Sequence, residues 1–457
     1  MIRFKVLLAF LLMGCSALAQ AAAEVKEYKL ENGMRILVKT DHRAPVVVSQ
    51  IWYKVGSGYE PSGLTGVSHV LEHMMFKGTK SKGPNEFSRI VAANGGQENA
   101  FTSRDYTAYY QQLEKSRLPI SFELESDRMR NLILDPKEFA KELQVVIEER
   151  RLRTEDDPTA KVAEQFNAIA YINSPYHNPV IGWLDDLNNL KVEDLKHWYE
   201  RWYAPNNATL VVVGDVEPDA VYALAQKYFA PLKPSVITEP KPRREIDQRG
   251  ARRIAVKVPA ELPMVIMGYP VPAVNNADVS WEPYALEVLA AILDGGDSSR
   301  FSKNLIRDKQ IAASINTGYD LYPKYQSLFS FSGTPTPSHT IAELEQAIHD
   351  EVTKLQTEPP KEDELARVKA QVVANNVYER DSVFYQAMQL GSLVSAGYDW
   401  KLHDQYVDNV KAITAEQVQA VAKKYFDADR LTVAELQPLP SKGASPRGGM
   451  PQSNMLR

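Results

Sequence analysis

The chain has a single cysteine, Cys15, among its 457 residues. No disulfide can form within it, so stability has to come from core packing and from any bound metal. It lacks a Lys/Arg run, and a net charge of -5 is small for this length. Both facts exclude a general nucleic-acid binder. Beyond the first residues no apolar run is long enough to span a bilayer. Histidine is scarce, with eight in the chain, so a pattern built from two of them carries information. What is present is the composition of a globular protein, 44% hydrophobic and 24% charged, on a chain too long for one ordinary domain.

The start of the chain is laid out as a secretory signal peptide. Arg3 and Lys5 precede an apolar run from Val6 to Gly14, and small residues follow up to Ala23. Cleavage near Ala19 or Ala23 would deliver the protein to the periplasm. Leu12-Met13-Gly14-Cys15 is similar to a lipoprotein processing site. Lipidation at Cys15 is the one route to a membrane that the sequence offers.

Two halves follow. Residues 231–252 contain Pro231, Pro234, Pro240 and Pro242, a linker composition between domains at 24–230 and 253–436. Residues 437–457 read as a disordered tail. The halves echo each other: residues 191–211 and 414–434 share an acidic start, an amphipathic helix, an aromatic pair (Trp202-Tyr203, Tyr425-Phe426) and a β-rich run. This register points to a duplicated domain. Strands are expected at Arg35–Val38 and Val46–Val55, and as a pair at Glu98–Ser103 and Tyr106–Leu113. Helices are expected at Leu64–Phe76, Asn85–Ala93, Arg117–Leu132 and Pro136–Glu155. The mixture is α+β.

The chemistry is carried by His69-Val70-Leu71-Glu72-His73. On a helix, residues four apart share a face. Two imidazoles so placed can hold one Zn²⁺, and Glu72 lies beside them as a base for metal-activated water. A third ligand is required, and the helical segment from Lys141 to Arg151 offers Glu142, Glu148 and Glu149. Composition does not choose among them. The six other histidines have no partner at ligand spacing.

Gly56-Ser57-Gly58, the His69–Met74 segment, Asn99-Ala100-Phe101-Thr102-Ser103 and Val146–Glu149 together resemble the M16 (pitrilysin/insulinase) zinc metallopeptidases. The likeness is nearest to short two-domain bacterial members and the catalytic subunit of mitochondrial processing peptidase. It covers nearly all of residues 25–436. It implies two homologous domains of the LuxS/M16 peptidase-like fold, each a mostly antiparallel sheet packed with helices. It implies one zinc per chain on His69, His73 and Glu149, with Glu142 orienting a ligand. It implies that Asn99, Ala100, Phe101 and Thr102 form an edge strand that receives peptide by β-addition. The family's substrate-gripping Arg and Tyr fall on Arg307 and Ser314, so the tyrosine is replaced. The expectation is a zinc endopeptidase for unfolded peptides or small proteins. It would work as a homodimer, or as a heterodimer with a related subunit that supplies the Arg/Tyr clamp. The alternative is a non-hydrolytic scaffold or peptide-binding subunit, and a further one is a hydrolase of small esters or amides.

Overall fold

The computed structural model describes residues 24–440. The leader, its cleavage sites, Cys15 and the last part of the tail lie outside the described residues. β1 (Lys26–Lys29), β2 (Arg35–Thr40), β3 (Val46–Tyr53), β4 (Gln97–Thr102), β5 (Thr107–Glu114) and β6 (Ala208–Gly214) form one sheet, in the order β1-β2-β6-β3-β5-β4. β7 (Arg252–Pro259), β8 (Met264–Val271), β9 (Ala312–Gly318), β10 (Ser327–Pro335) and β11 (Thr432–Leu439) form the other, in the order β7-β11-β8-β10-β9.

Apart from β1, the two orders are the same. β6 runs parallel to β2 and antiparallel to β3, while β11 runs parallel to β7 and antiparallel to β8. All other neighbours are antiparallel. The repeated helices, Val192–Trp202 and Ala415–Tyr425, both begin with the N3 side chain accepting from the N-cap N–H, Asp194 from Lys191 and Gln417 from Thr414. The fold is therefore α+β with a duplicated topology.

Both faces of each sheet are covered, which is why β3 and β8 are nearly continuous apolar runs. Val47, Ile51 and Tyr53 face helices of their own half. Val48 and Trp52 face the other way, onto the helix Val383–Ala396, which comes from the second half. The reciprocal contact also exists. Helix Pro158–Ala170 of the first half puts Val162 and Phe166 on Ile266, Ala434 and Leu436 of the second sheet. The halves thus exchange a helix. In each exchange an aromatic side chain meets a glycine: Trp52 on a strand meets Gly391 on a helix, and Phe166 on a helix meets Gly268 on a strand.

A Cβ on Gly391 would lie 2.0 Å from Trp52 Cε2. At an ordinary helix position Gly→Ala gains about 1 kcal/mol. Here overpacking of about 1–3 kcal/mol is expected to reverse the sign. Urea unfolding of Gly391→Ala measures this, and a gain in stability would contradict the exchange contact.

Several boundaries differ from expectation, among them the motif helix, which spans Val67–Met74 rather than Leu64–Phe76. β11 continues through Gln437, Pro438 and Leu439, which pair with Lys257, Val258 and Pro259, so the expected disordered tail begins as strand. Pro438 is tolerated because pairing with β8 has already ended at Leu436. β7 starts at Arg252, inside the expected linker. The remaining linker carries neither helix nor strand, but it is tied to the first half by Arg201 donating to Thr238 O at 2.6 Å and by the Lys54–Glu239 ion pair at 2.9 Å. The helix expected over Pro136–Glu155 is α-helical only to Arg150, and a π-helical turn follows over Arg151–Glu155.

Candidate metal centre

The His-x-x-Glu-His segment lies on the helix Val67–Met74. Val67, Val70, Leu71 and Met74 are buried in the core of the first half. That leaves His69, Glu72 and His73 together on the opposite side. The helix starts at Gly66, whose φ of 88° favours glycine and whose Cβ would meet Ile181 O at 2.7 Å. No side chain of the helix itself caps it. Fully buried Glu60 accepts from the Gly66 and Ser68 N–H groups, both at 2.8 Å. It places a carboxylate at the positive end of the helix, although burial pushes its pKa up to about 7. Sequence analysis missed Glu60. The only sequence signal was an acid closing the glycine-rich segment ahead of the motif.

The histidine rings are 4.9 Å apart. Opposite them stands the helix Pro136–Arg150, capped by Asp135, which accepts from Lys137 and Glu138 N–H. This helix separates the three candidate carboxylates. Glu148 is exposed and lies 3.6 Å from Arg151. Glu142 accepts from His73 Nδ1 at 3.0 Å. Glu149 Oε2 is 3.4 Å from His73 Nε2 and 3.9 Å from His69 Nε2. Arg150, next in sequence, is buried and anchored to Glu164 and to Gly182 O, which fixes the end of the helix beside Glu149.

His69, His73 and Glu149 each offer a donor atom within 4.8 Å of the others. A tetrahedral zinc with bonds of ~2.0–2.2 Å sets its donors about 3–4 Å apart, and two imidazoles with one carboxylate is a donor set of catalytic zinc. The residues fit the ion. Among the described residues no other cluster of this kind occurs.

Outer contacts prepare the donors. Glu142 binds His73 Nδ1 with one oxygen and Lys77 Nζ with the other, at 2.5 Å, which leaves His73 Nε2 as the donor. Arg153, carried back by the π-helical turn, is 2.8 Å from the second oxygen of Glu149. Lys77 and Arg153 were not legible as site residues, since a lysine and an arginine on charged helices carry no pattern. Burial pushes His69 down to about 3, so its imidazole is neutral, as a ligand must be. Burial also raises the pKa of Glu72.

Thr102, the last residue of β4, donates to Glu72 Oε2 at 2.6 Å. β4 ends the sheet and pairs only with β5, so its outer edge is open among the described residues. Asn99 is exposed, Ala100 is half-buried, and Phe101 packs edge-on against Trp52 at 5.4 Å. Thr102→Val is expected to reduce kcat about 10–150-fold with KM nearly unchanged, the cost of one charge-assisted hydrogen bond. An unaltered kcat would show that Thr102 does not position Glu72.

Arg307 and Ser314 are not brought to this cluster. Arg307 is exposed on the turn Phe301–Asp308, and Ser314 is exposed on β9, the edge of the second sheet. Neither forms a hydrogen bond or ion pair with the triad. Arg307 has no ion pair among the described residues.

Comparison with known proteins places the chain in a family. The insulinase (peptidase family M16) model matches residues 35–183, and the peptidase M16 inactive domain model matches residues 189–372. A zinc protease of Helicobacter pylori, PqqE, is 32% identical over 435 residues, covering 93% of this chain and 96% of that protein. An uncharacterized zinc protease of Bacillus subtilis, YmxG, is 25% identical over 89% of this chain and 96% of its own length. The crystal structure of a protease from Helicobacter pylori superposes with a TM-score of 0.86 at 30% identity, over 92% of this chain and all of that one. A peptidase M16 inactive domain from Pseudomonas fluorescens shares the fold, with a TM-score of 0.81 at 15% identity. The chain belongs to peptidase family M16, the insulinase family, as a two-domain member.

Proposed function

We propose that the chain is a zinc-dependent endopeptidase for unfolded peptides and small proteins of the periplasm, with one zinc ion on His69, His73 and Glu149. The observation that carries this reading is the convergence of that triad with Glu72, which is itself bonded to the open edge strand through Thr102. The relatives named zinc proteases support it.

The bound ion would supply Lewis acidity towards a substrate carbonyl and towards water. The chain supplies the rest. The open edge of β4 takes an extended peptide by backbone pairing, with little demand on its sequence. Glu72, held by Thr102, accepts the proton of the attacking water and returns it to the leaving amine. Its raised pKa brings it nearer to the working pH than an exposed carboxylate would be. Glu142 and Lys77 keep His73 in one tautomer.

Arg307 without a tyrosine at Ser314 leaves the grip on the carbonyl incomplete. A related subunit that carries both residues would complete it, in a homologous heterodimer. A homodimer is the simpler assembly. Zinc-loaded mature chain should cleave quenched fluorescent peptides and not small esters, and the related subunit should raise the rate. A folded, zinc-bound chain that cleaves no peptide, alone or with that subunit, would instead be a peptide-binding scaffold.

A further inference from the structure

The second half holds a cavity of about 520 Å³ at the place where the first half holds its triad. Helix Glu282–Asp294 follows β8 as the motif helix follows β3. It packs on helices Glu362–Glu379 and Ala415–Tyr425, as the motif helix packs on Pro136–Arg150 and Val192–Trp202. It contains no histidine. The cavity is instead walled by Glu287, Glu379, Asn376, Gln389, Tyr322 and His403.

Four of these present a buried polar atom with no hydrogen-bond partner: Asn376 Oδ1, Gln389 Oε1, Tyr322 Oη and His403 Nε2. Asn376 and His403 are only 6% and 5% exposed. Buried polar groups without a partner are unfavourable, and residues that carry four of them share the wall of this one space. The charge of the wall is one-sided. Glu287, Asp294 and Glu379 bring three carboxylates to the space, the amide oxygens of Asn376 and Gln389 accept hydrogen bonds, and no Lys or Arg lines it. Tyrosine rings add negative faces. The acids and His403 do not converge as metal donors do, since the triad is the one such cluster among the described residues. The volume falls in the range of small-molecule sites, about 300–1,000 Å³.

We propose that this cavity binds a primary alkylammonium group, contributed by a small aliphatic diamine or by a lysine side chain of a bound peptide. Glu287 is the principal counter-charge. One of its oxygens already accepts from Tyr406 at 3.3 Å. Burial without a cation pushes its pKa up to about 7, and a bound ammonium would bring it down.

The inference stands apart from the peptidase reading, and its test measures binding alone. Full-length mature protein is titrated calorimetrically with 1,5-diaminopentane, with Nα-acetyl-lysinamide and with the neutral 1,5-pentanediol. One amine site per chain is expected and no diol binding. Affinity should fall about tenfold or more in Glu287→Gln and in Glu379→Gln, and stay unchanged in His69→Ala. Thermal melts establish that each variant is folded, and either glutamate variant suffices if the other unfolds. Diamine binding without lysinamide binding assigns the site to free amines, and the reverse assigns it to peptide side chains. Binding of neither amine, wild-type affinity in the folded glutamate variants, or loss of binding in His69→Ala would overturn the proposal.

Discussion

Glu72→Gln is expected to lower kcat for peptide cleavage by about 10²–10⁴-fold, the usual contribution of a positioned acid–base group, while zinc content and KM change little. Glu72 is not among the three converging donors, so the ion should not notice the substitution. Glutamine keeps the shape of a side chain that is 9% exposed and leaves an amide oxygen to accept from Thr102. What it removes is the capacity to take a proton. Metal analysis beside steady-state kinetics checks both halves of this expectation. A variant that retains its zinc and its rate would show that another group carries the proton.

His73→Ala is expected to abolish both zinc binding and cleavage. His73 stands between two carboxylates, with Nδ1 3.0 Å from Glu142 and Nε2 3.4 Å from Glu149. Its loss takes away one donor and leaves Glu142 and Glu149 facing an empty position. Removal of an outer partner alone typically costs about 10–100-fold in metal affinity, which is the loss expected for Glu142→Gln. Removal of a donor should cost more. Competition with a chromophoric chelator ranks the three proteins. An order in which Glu142→Gln binds zinc more weakly than His73→Ala would exchange the roles assigned to Glu142 and His73.

The metal motif was legible because its two histidines and its glutamate are local, and helix geometry converts spacing directly into a shared face. The third ligand was not legible from composition. Glu142, Glu148 and Glu149 sit on one charged helix, and resemblance to the family was needed to prefer Glu149. In the structure the three differ by what lies across from them: solvent, the Nδ1 side of His73, or the Nε2 side. Glu60 and Lys77 escaped notice because their partners, the Gly66 and Ser68 N–H groups and the Glu142 carboxylate, are not revealed by sequence spacing.

The duplication was visible in the aromatic register of residues 191–211 and 414–434, and the matching strand orders follow from it. The exchanged helices were not visible. Hydrophobic periodicity says that a face is covered and is silent about what covers it. Gly268 and Gly391 are intelligible only once Phe166 and Trp52 are set against them. The strand at Gln437–Leu439 was hidden by its proline and by the Pro/Gly/Ser composition that follows it.

The central claim is that His69, His73 and Glu149 hold one zinc ion. Anomalous diffraction from crystals of the zinc-loaded protein, recorded on both sides of the zinc absorption edge, tests it most directly. The account predicts one peak per chain, ~2.0–2.2 Å from His69 Nε2, His73 Nε2 and a Glu149 carboxylate oxygen. A zinc peak at any other residues, or a fully loaded protein with no peak between these three, would contradict it.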